Sequence, residues 1–90
     1  MRVRVNVMDT KAIVILKIHK RNFETDLEIP LDISANDLIV ALNNAYNFNI
    51  DVSDVKNCYL KTENPIALLK GNRLLSEYGI RNGTVINFTD

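Results

Sequence analysis

The sequence has few of the residues from which chemical sites are usually built. Its 90 residues include one cysteine, one histidine and no tryptophan. A single cysteine excludes an internal disulfide and fits a reducing compartment. A zinc site would have to consist mostly of carboxylates, which zinc sites in proteins rarely do. We therefore expect no metal, no cofactor and no enzymatic activity.

The chain also lacks net charge and long apolar runs. Eleven basic residues balance eleven acidic ones, so no overall field attracts nucleic acid or anionic lipid. No apolar run approaches the ~20 residues of a membrane helix, and residues 1–7 alternate polar residues with valine, which is unlike a signal peptide. We expect one cytoplasmic domain that neither binds nucleic acid nor inserts into a membrane.

Glycine is scarce, and its positions are informative. Gly71, Gly79 and Gly83 stand in separate turns, so they form no phosphate-binding loop. Gly79 and Gly83 bracket the stretch that leads into the last strand, where turns favour residues that tolerate positive φ. Period-2 alternation in that strand puts Ile86 and Phe88 on one face.

The same alternation predicts most of the sheet. The strand at 12–19 is apolar on both faces, so we expect it to be central and covered on both sides. The strand at 23–29 has one polar face and ends at Pro30, which is typical of an edge strand. Strands are predicted at residues 1–7, 12–19, 23–29, 58–62, 66–69 and 84–88.

A helix is predicted between the strands at 23–29 and 58–62. Ser34 is a suitable N-cap, and Asp37 approximates a capping box. The helix should end soon after Tyr46, because asparagines follow. A stripe at helical spacing is expected to lie on the sheet: Leu38, Ala41, Leu42 and Ala45. The expected core comprises Leu16, Leu27, Ile29, Leu38, Leu42, Ile86 and Phe88.

The segment Leu74–Phe88 resembles the last turn and strand of ubiquitin-like proteins. Its Leu-Ser-Glu, Gly-Ile and Asn-Gly pattern is more similar still to the YukD-like proteins of bacterial type VII secretion, and the spacing from Asp26 to Ile39 matches that family without a gap. The resemblance covers residues 12–88. It implies an α+β, ubiquitin-like β-grasp domain (ββαββ) at 12–90, preceded by an extension at 1–11 that contains an extra strand.

The same resemblance implies a non-enzymatic, cytosolic accessory of a type VII secretion apparatus that docks on the membrane ATPase or another cytosolic component. The alternatives are a β-grasp subunit or carrier of a different assembly, and a ligand- or nucleic-acid-binding β-grasp module. Conjugated modifiers and sulfur carriers end in Gly-Gly, whereas this chain ends in Thr89-Asp90, so we expect no conjugation. The apolar patch of ubiquitin is not reproduced, because the outward positions of the third strand are predicted to be Tyr59, Lys61 and Glu63.

No catalytic constellation is predicted. Cys58 falls in a predicted strand and is interpreted as a small apolar filler, and His19 as a solvated turn residue. The carboxylates of Glu24, Asp26 and Glu28 share one strand face. They have three interpretations: acid/base groups, a cation site, or a charged edge that prevents aggregation. The charged edge is the preferred interpretation.

The candidate partner-binding residues are apolar residues that the core does not use. Ile13 and Ile15 point away from the predicted core, and Val85 would enlarge their patch. Val3, Val5 and Val7 share one face of residues 1–7. This segment could cover the patch, fold on an edge of its own sheet, or pair with the edge of another chain in a homodimer. It could also be displaced by the secretion partner, or be a frayed tail. Met8 could also be an alternative translation start.

Overall fold

The computed structural model describes residues 10–89, which form one mixed sheet with an α-helix packed on one face. The elements are β1 (Lys11–Ile18), β2 (Phe23–Pro30), α1 (Ala35–Tyr46), β3 (Leu60–Glu63), β4 (Ala67–Leu69) and β5 (Val85–Phe88). The strand order is β2-β1-β5-β3-β4, with β1 and β5 parallel at the centre and the other neighbours antiparallel. The predicted ββαββ β-grasp is confirmed. The extra strand predicted at 1–7 lies outside the described residues.

The first hairpin matches the sequence pattern closely. Its ladder runs from Lys11 opposite Pro30 to Ile18 opposite Phe23, with β2 at the sheet edge as Pro30 predicted. The reversal is a 3₁₀ turn at His19–Arg21, closed by Asn22 at φ 52°. Asparagine tolerates this left-handed conformation better than most residues, which explains its place in the turn.

The core lies between the inner face of the sheet and α1. Of the seven residues expected there, six are buried, whereas Leu27 is half-buried because β2 has no neighbour on its outer side among the described residues. The predicted helix stripe was partly wrong. Leu38 and Leu42 are buried, but Ala41 and Ala45 are exposed, since the helix is rotated so that Ala35 and Ile39 complete its buried face.

Side chains satisfy both ends of α1. The Ser34 hydroxyl accepts the backbone N–H of Asp37 at 3.1 Å, as predicted. At the other end Asn47 takes φ 57°. The Arg21 guanidinium donates to the carbonyl oxygens of Tyr46 and Asn47, which the last turn of a helix leaves without intrahelical partners.

The segment after α1 corrects the predicted start of the third strand. A 3₁₀ helix occupies Val52–Asn57, and Cys58 still belongs to its exit because its N–H bonds the carbonyl of Val55 at 2.9 Å. The strand therefore begins at Leu60, and Cys58 is outside it. The Cys58 side chain is half-buried against the core, which agrees with its interpretation as a filler.

Candidate functional site

The sheet face opposite α1 carries the apolar residues that the core leaves unused. Ile13 and Ile15 alternate with buried residues of β1, and Ile15 lies opposite Val85 in the parallel β1–β5 pair. Ile13 is 53% exposed, and the other two are half-buried. We call these three residues the β1–β5 patch. They were predicted to adjoin, and the structure brings them together.

The expectation that β1 is covered on both faces is wrong for the described residues. The strand is central in the sheet, but in the described part of the chain α1 packs on only one face of the sheet. Ile13 lies on the opposite face and is therefore exposed. Val3, Val5 and Val7, the other candidate residues, lie outside the part of the chain that the structure describes. Their place relative to the patch is an open prediction.

The Asn82-Gly83 turn holds Ile13 in position. The N–H of Gly83, at φ +90°, donates to the Ile13 carbonyl at 2.9 Å. The side-chain oxygen of Asn82 accepts the Ile13 N–H at 2.8 Å. Both backbone groups of Ile13 are thus bonded to the turn before β5. The Asn82-Gly83 turn, which marked the start of the last strand in the sequence, therefore also orients Ile13, the most exposed residue of the patch.

Carboxylates border the patch on both sides. In the sheet register Glu28 lies opposite Ile13, Asp26 opposite Ile15, and Glu63 opposite Val85. Side chains opposed in this way have Cβ atoms about 5 Å apart. All three carboxylates are exposed, so a partner surface with an apolar centre and basic surroundings would be complementary.

A polar network continues along the same face next to the patch. The Asn87 amide donates to the Glu63 carboxylate at 2.9 Å, and its oxygen lies 2.7 Å from Nε2 of His19. An amide oxygen only accepts, so Nε2 carries the hydrogen. His19 is an exposed turn residue as expected, but it is also bonded across the sheet. The network includes no hydroxyl or thiol that could act as a nucleophile.

A second exposed apolar group was missed in the sequence. Ile66 is 91% exposed and Leu68 48%, and Leu68 lies opposite the exposed Lys61 at the β4 edge. The outward positions predicted for β3 are confirmed, since Lys61, Glu63 and Tyr59, just before the strand, are exposed. Alternation within Ile66–Leu69 is the signal that could have revealed this group, but four residues are a short run.

The described residues offer little for catalysis or membrane insertion. Within 10–89 no group of three or more His, Cys, Asp or Glu side chains is arranged to hold a metal ion. The carboxylates of Glu24, Asp26 and Glu28 are exposed, and Glu24 pairs with Lys17 at 4.0 Å. None of the helices in this part of the chain is long and apolar enough to span a membrane.

The carboxyl group of Asp51 has a shifted pKa, and its role is local. Backbone and hydroxyl hydrogen bonds from Ser53 hold the pKa of Asp51 below its ordinary value of 3.8. These bonds, at 3.0 and 2.8 Å, cap the 3₁₀ helix that begins at Val52. Hydrogen bonds to a carboxylate stabilise its charged form. The shift therefore reflects a cap and does not indicate a reactive group.

Comparison with known proteins agrees with the β-grasp fold. A family model described as protein YukD of the WXG100 protein secretion system (Wss) matches residues 2–87. The ubiquitin-like domain of tubulin-binding cofactor B is similar in structure, with a TM-score of 0.71 and 18% identity over 92% of each chain. The C-terminal ubiquitin-like domain of mouse tubulin-specific chaperone e gives a TM-score of 0.62 and 13% identity, covering 92% of this chain and 91% of that one. At these identities the structural likeness shows a ubiquitin-like fold. No curated protein sequence matches the chain.

Proposed function

We propose that this chain, which belongs to the YukD family of the WXG100 protein secretion system (Wss), is a non-enzymatic, cytoplasmic protein-binding component of that system. It would act by docking on another component through the outer face of its sheet, without being conjugated to it. The membrane ATPase of the system is the partner we infer, since such an enzyme presents a cytosolic surface on which a small domain could dock.

The exposure of Ile13 carries this proposal. A side chain of this size, more than half exposed in the middle of a sheet, gains little for the folded monomer but can be buried by a partner. Its two backbone hydrogen bonds to the Asn82-Gly83 turn keep it preorganised, so little conformational entropy is lost on binding. Ile15 and Val85 extend the apolar centre on the same face.

The charges around the patch support a partner of defined chemistry. Asp26, Glu28 and Glu63 surround the apolar centre in the sheet register. An apolar centre with a polar rim is the usual anatomy of a protein interface. The complementary surface is an apolar one bordered by Lys or Arg, and the acidic rim would speed its association at low salt.

Ile13→Lys tests the proposal. The new ammonium can pair with Glu28 opposite it, so the sheet should tolerate it, but it places a positive charge in the contact. Interface residues of this kind cost about 2 kcal/mol or more when they are lost, so affinity for the cytosolic part of the ATPase should fall more than about tenfold. Secretion by cells carrying this variant should fall with it.

The matched control is Ile66→Lys. Ile66 is apolar and even more exposed, at 91%, but it lies outside the β1–β5 patch. It should leave binding and secretion unchanged. Equal binding by wild type and Ile13→Lys, or equal losses in the two variants, would contradict the role of the patch.

A further inference from the structure

The outer edge of β2 is open along its length in the described part of the chain. No described strand pairs with its outer side. Beside it, β2 and α1 leave a groove of about 220 Å³. Apolar side chains line it almost entirely, including Leu27, Ile29, Ala41 and Ala45. The two alanines are exposed on the side of α1 that borders this groove. An open edge beside an apolar groove is the arrangement that accepts an added strand.

The two faces of this edge differ in chemistry. On the groove side β2 presents Leu27 and Ile29. On the opposite side it presents the exposed carboxylates of Glu24, Asp26 and Glu28. A strand that fits would therefore be apolar on one face and basic on the other, with a period of two residues.

Residues 1–7 of this chain have that pattern. Valine occupies positions 3, 5 and 7, and arginine positions 2 and 4. With the valines in the groove, Arg2 and Arg4 lie on the carboxylate side of the sheet. A shift by one residue would put both arginines into the apolar groove, so the register is strongly specified.

The chain's own segment reaches this edge poorly. The Thr10 carbonyl is bonded to the Leu31 N–H at 2.6 Å, which fixes the chain beside β1. From Thr10 to Val7 an extended backbone spans at most about 11 Å, whereas the outer side of β2 lies two strand spacings away, or about 9.5 Å. The link could span this distance with only about 1.5 Å to spare, and it would have to cross the chain where β2 leaves the sheet. A second molecule has neither constraint.

We propose that residues 1–7 of one copy add a strand to the β2 edge of a second copy, and that the exchange is reciprocal in a two-fold symmetric dimer. The valines occupy the groove between β2 and α1, and Arg2 and Arg4 face Asp26 and Glu28. Two-fold exchange closes after two chains, so it leads to a dimer and not to a fibre. The inference does not rest on the proposed function, because the apolar residues of the β1–β5 patch lie on other strands and stay uncovered. The two proposals share Asp26 and Glu28, which border the patch and would face the arginines in the dimer.

A charge exchange between two variants tests this dimer. The variant R2E/R4E puts acidic residues opposite the carboxylates of β2. The variant D26K/E28K puts lysines opposite the arginines, and it keeps the Lys17–Glu24 pair. Light scattering over a concentration series should give wild type twice the chain mass of 10.2 kDa and each variant alone the mass of one chain. An equimolar mixture should recover the double mass, since each arm then meets an edge of opposite charge.

Several outcomes would overturn the proposal. These are a wild type that stays monomeric at every concentration, a dimer that persists in R2E/R4E, or a mixture of variants that gains no mass. Circular dichroism melts establish that both variants are folded before they are mixed. Val5→Glu supplies an independent test, because it leaves the arginines and the β2 carboxylates intact but places a carboxylate in the groove. This variant should be monomeric. A dimer as stable as that of the wild type would also overturn the proposal.

Discussion

Shortening Leu42 to alanine should test whether α1 seals the core in the way the structure shows. The side chain is 3% exposed. Leu42→Ala removes three carbon groups, which at about 0.8 kcal/mol each amount to roughly 2.4 kcal/mol of lost burial. The cavity adds a further cost, but a small one here, because Leu42 borders the open groove beside β2 and water can enter. The free energy of unfolding should therefore fall by about 2.5–3.5 kcal/mol.

Urea denaturation followed by circular dichroism measures this loss, since the chain has no tryptophan for fluorescence. At about 4–8 °C per kcal/mol for a domain of this size, the melting temperature should drop by roughly 10–28 °C. Asn44→Ala is the matched control: it is exposed on the same helix, and its change should stay within about 0.5 kcal/mol, on the stabilising side. A loss below about 0.5 kcal/mol for Leu42→Ala would refute the packing of α1 on the sheet.

Three further substitutions probe the ends of helices, each measured by the same urea titration. Ser34→Ala removes the N-cap of α1 and should cost about 1 kcal/mol, whereas no change would mean that the cap is dispensable. Arg21→Ala removes the donor to the last carbonyls of α1 and the guanidinium 5.9 Å from the Phe48 ring, and should cost ~0.5–1 kcal/mol; an unchanged midpoint would contradict that role. Asp51→Ala should lower stability at neutral pH, and the difference from wild type should shrink as pH falls from 3.8 through the depressed pKa of Asp51, because the Ser53 bonds stabilise the carboxylate more than the neutral acid. A difference that did not change with pH would contradict this cause.

The fold could be predicted in large part because the strands near the chain ends have clear periods. In β1, the alternation put Leu16 in the core and Ile13 and Ile15 on the other face. Leu16 is buried, as are Val14 and Ile18, which share its face. The Asn82-Gly83 turn before β5 was visible as a local signal. Such features depend on neighbouring residues in the sequence, so pattern analysis finds them.

Features set by tertiary contacts were not accessible in this way. The rotation of α1 that exposes Ala41 depends on which residues the sheet presents to it, and helical spacing alone allowed a neighbouring stripe. The position of Cys58 depends on the 3₁₀ helix before it, which has no strong propensity signal. The bond between His19 and Asn87 joins residues 68 apart in sequence, so it exists only once the sheet has formed.

The location of the candidate site was partly predictable. Ile13 and Ile15 stood out because a strand with apolar residues on both faces needs two coverings, and the sequence supplies one helix. Asp26 and Glu28 could be recognised as one face of β2, and Glu63 as an outward position of the third strand, but their register opposite the patch required the sheet geometry. The signal at Ile66 was weaker, because the alternation there covers only four residues and the strand that follows Ile66 is three residues long.

The central claim is that the outer face of β1 and β5 binds the secretion partner, and a chemical-shift titration tests it most directly. The ¹⁵N-labelled protein is titrated with the purified cytosolic part of the membrane ATPase, and the perturbed amides are mapped on the sheet. We predict that the perturbations centre on Ile13, Ile15 and Val85, with Glu28 and Glu63 at their border, and that they are lost with Ile13→Lys. Binding that perturbs only Ile66 and Leu68, or only α1, would contradict the claim.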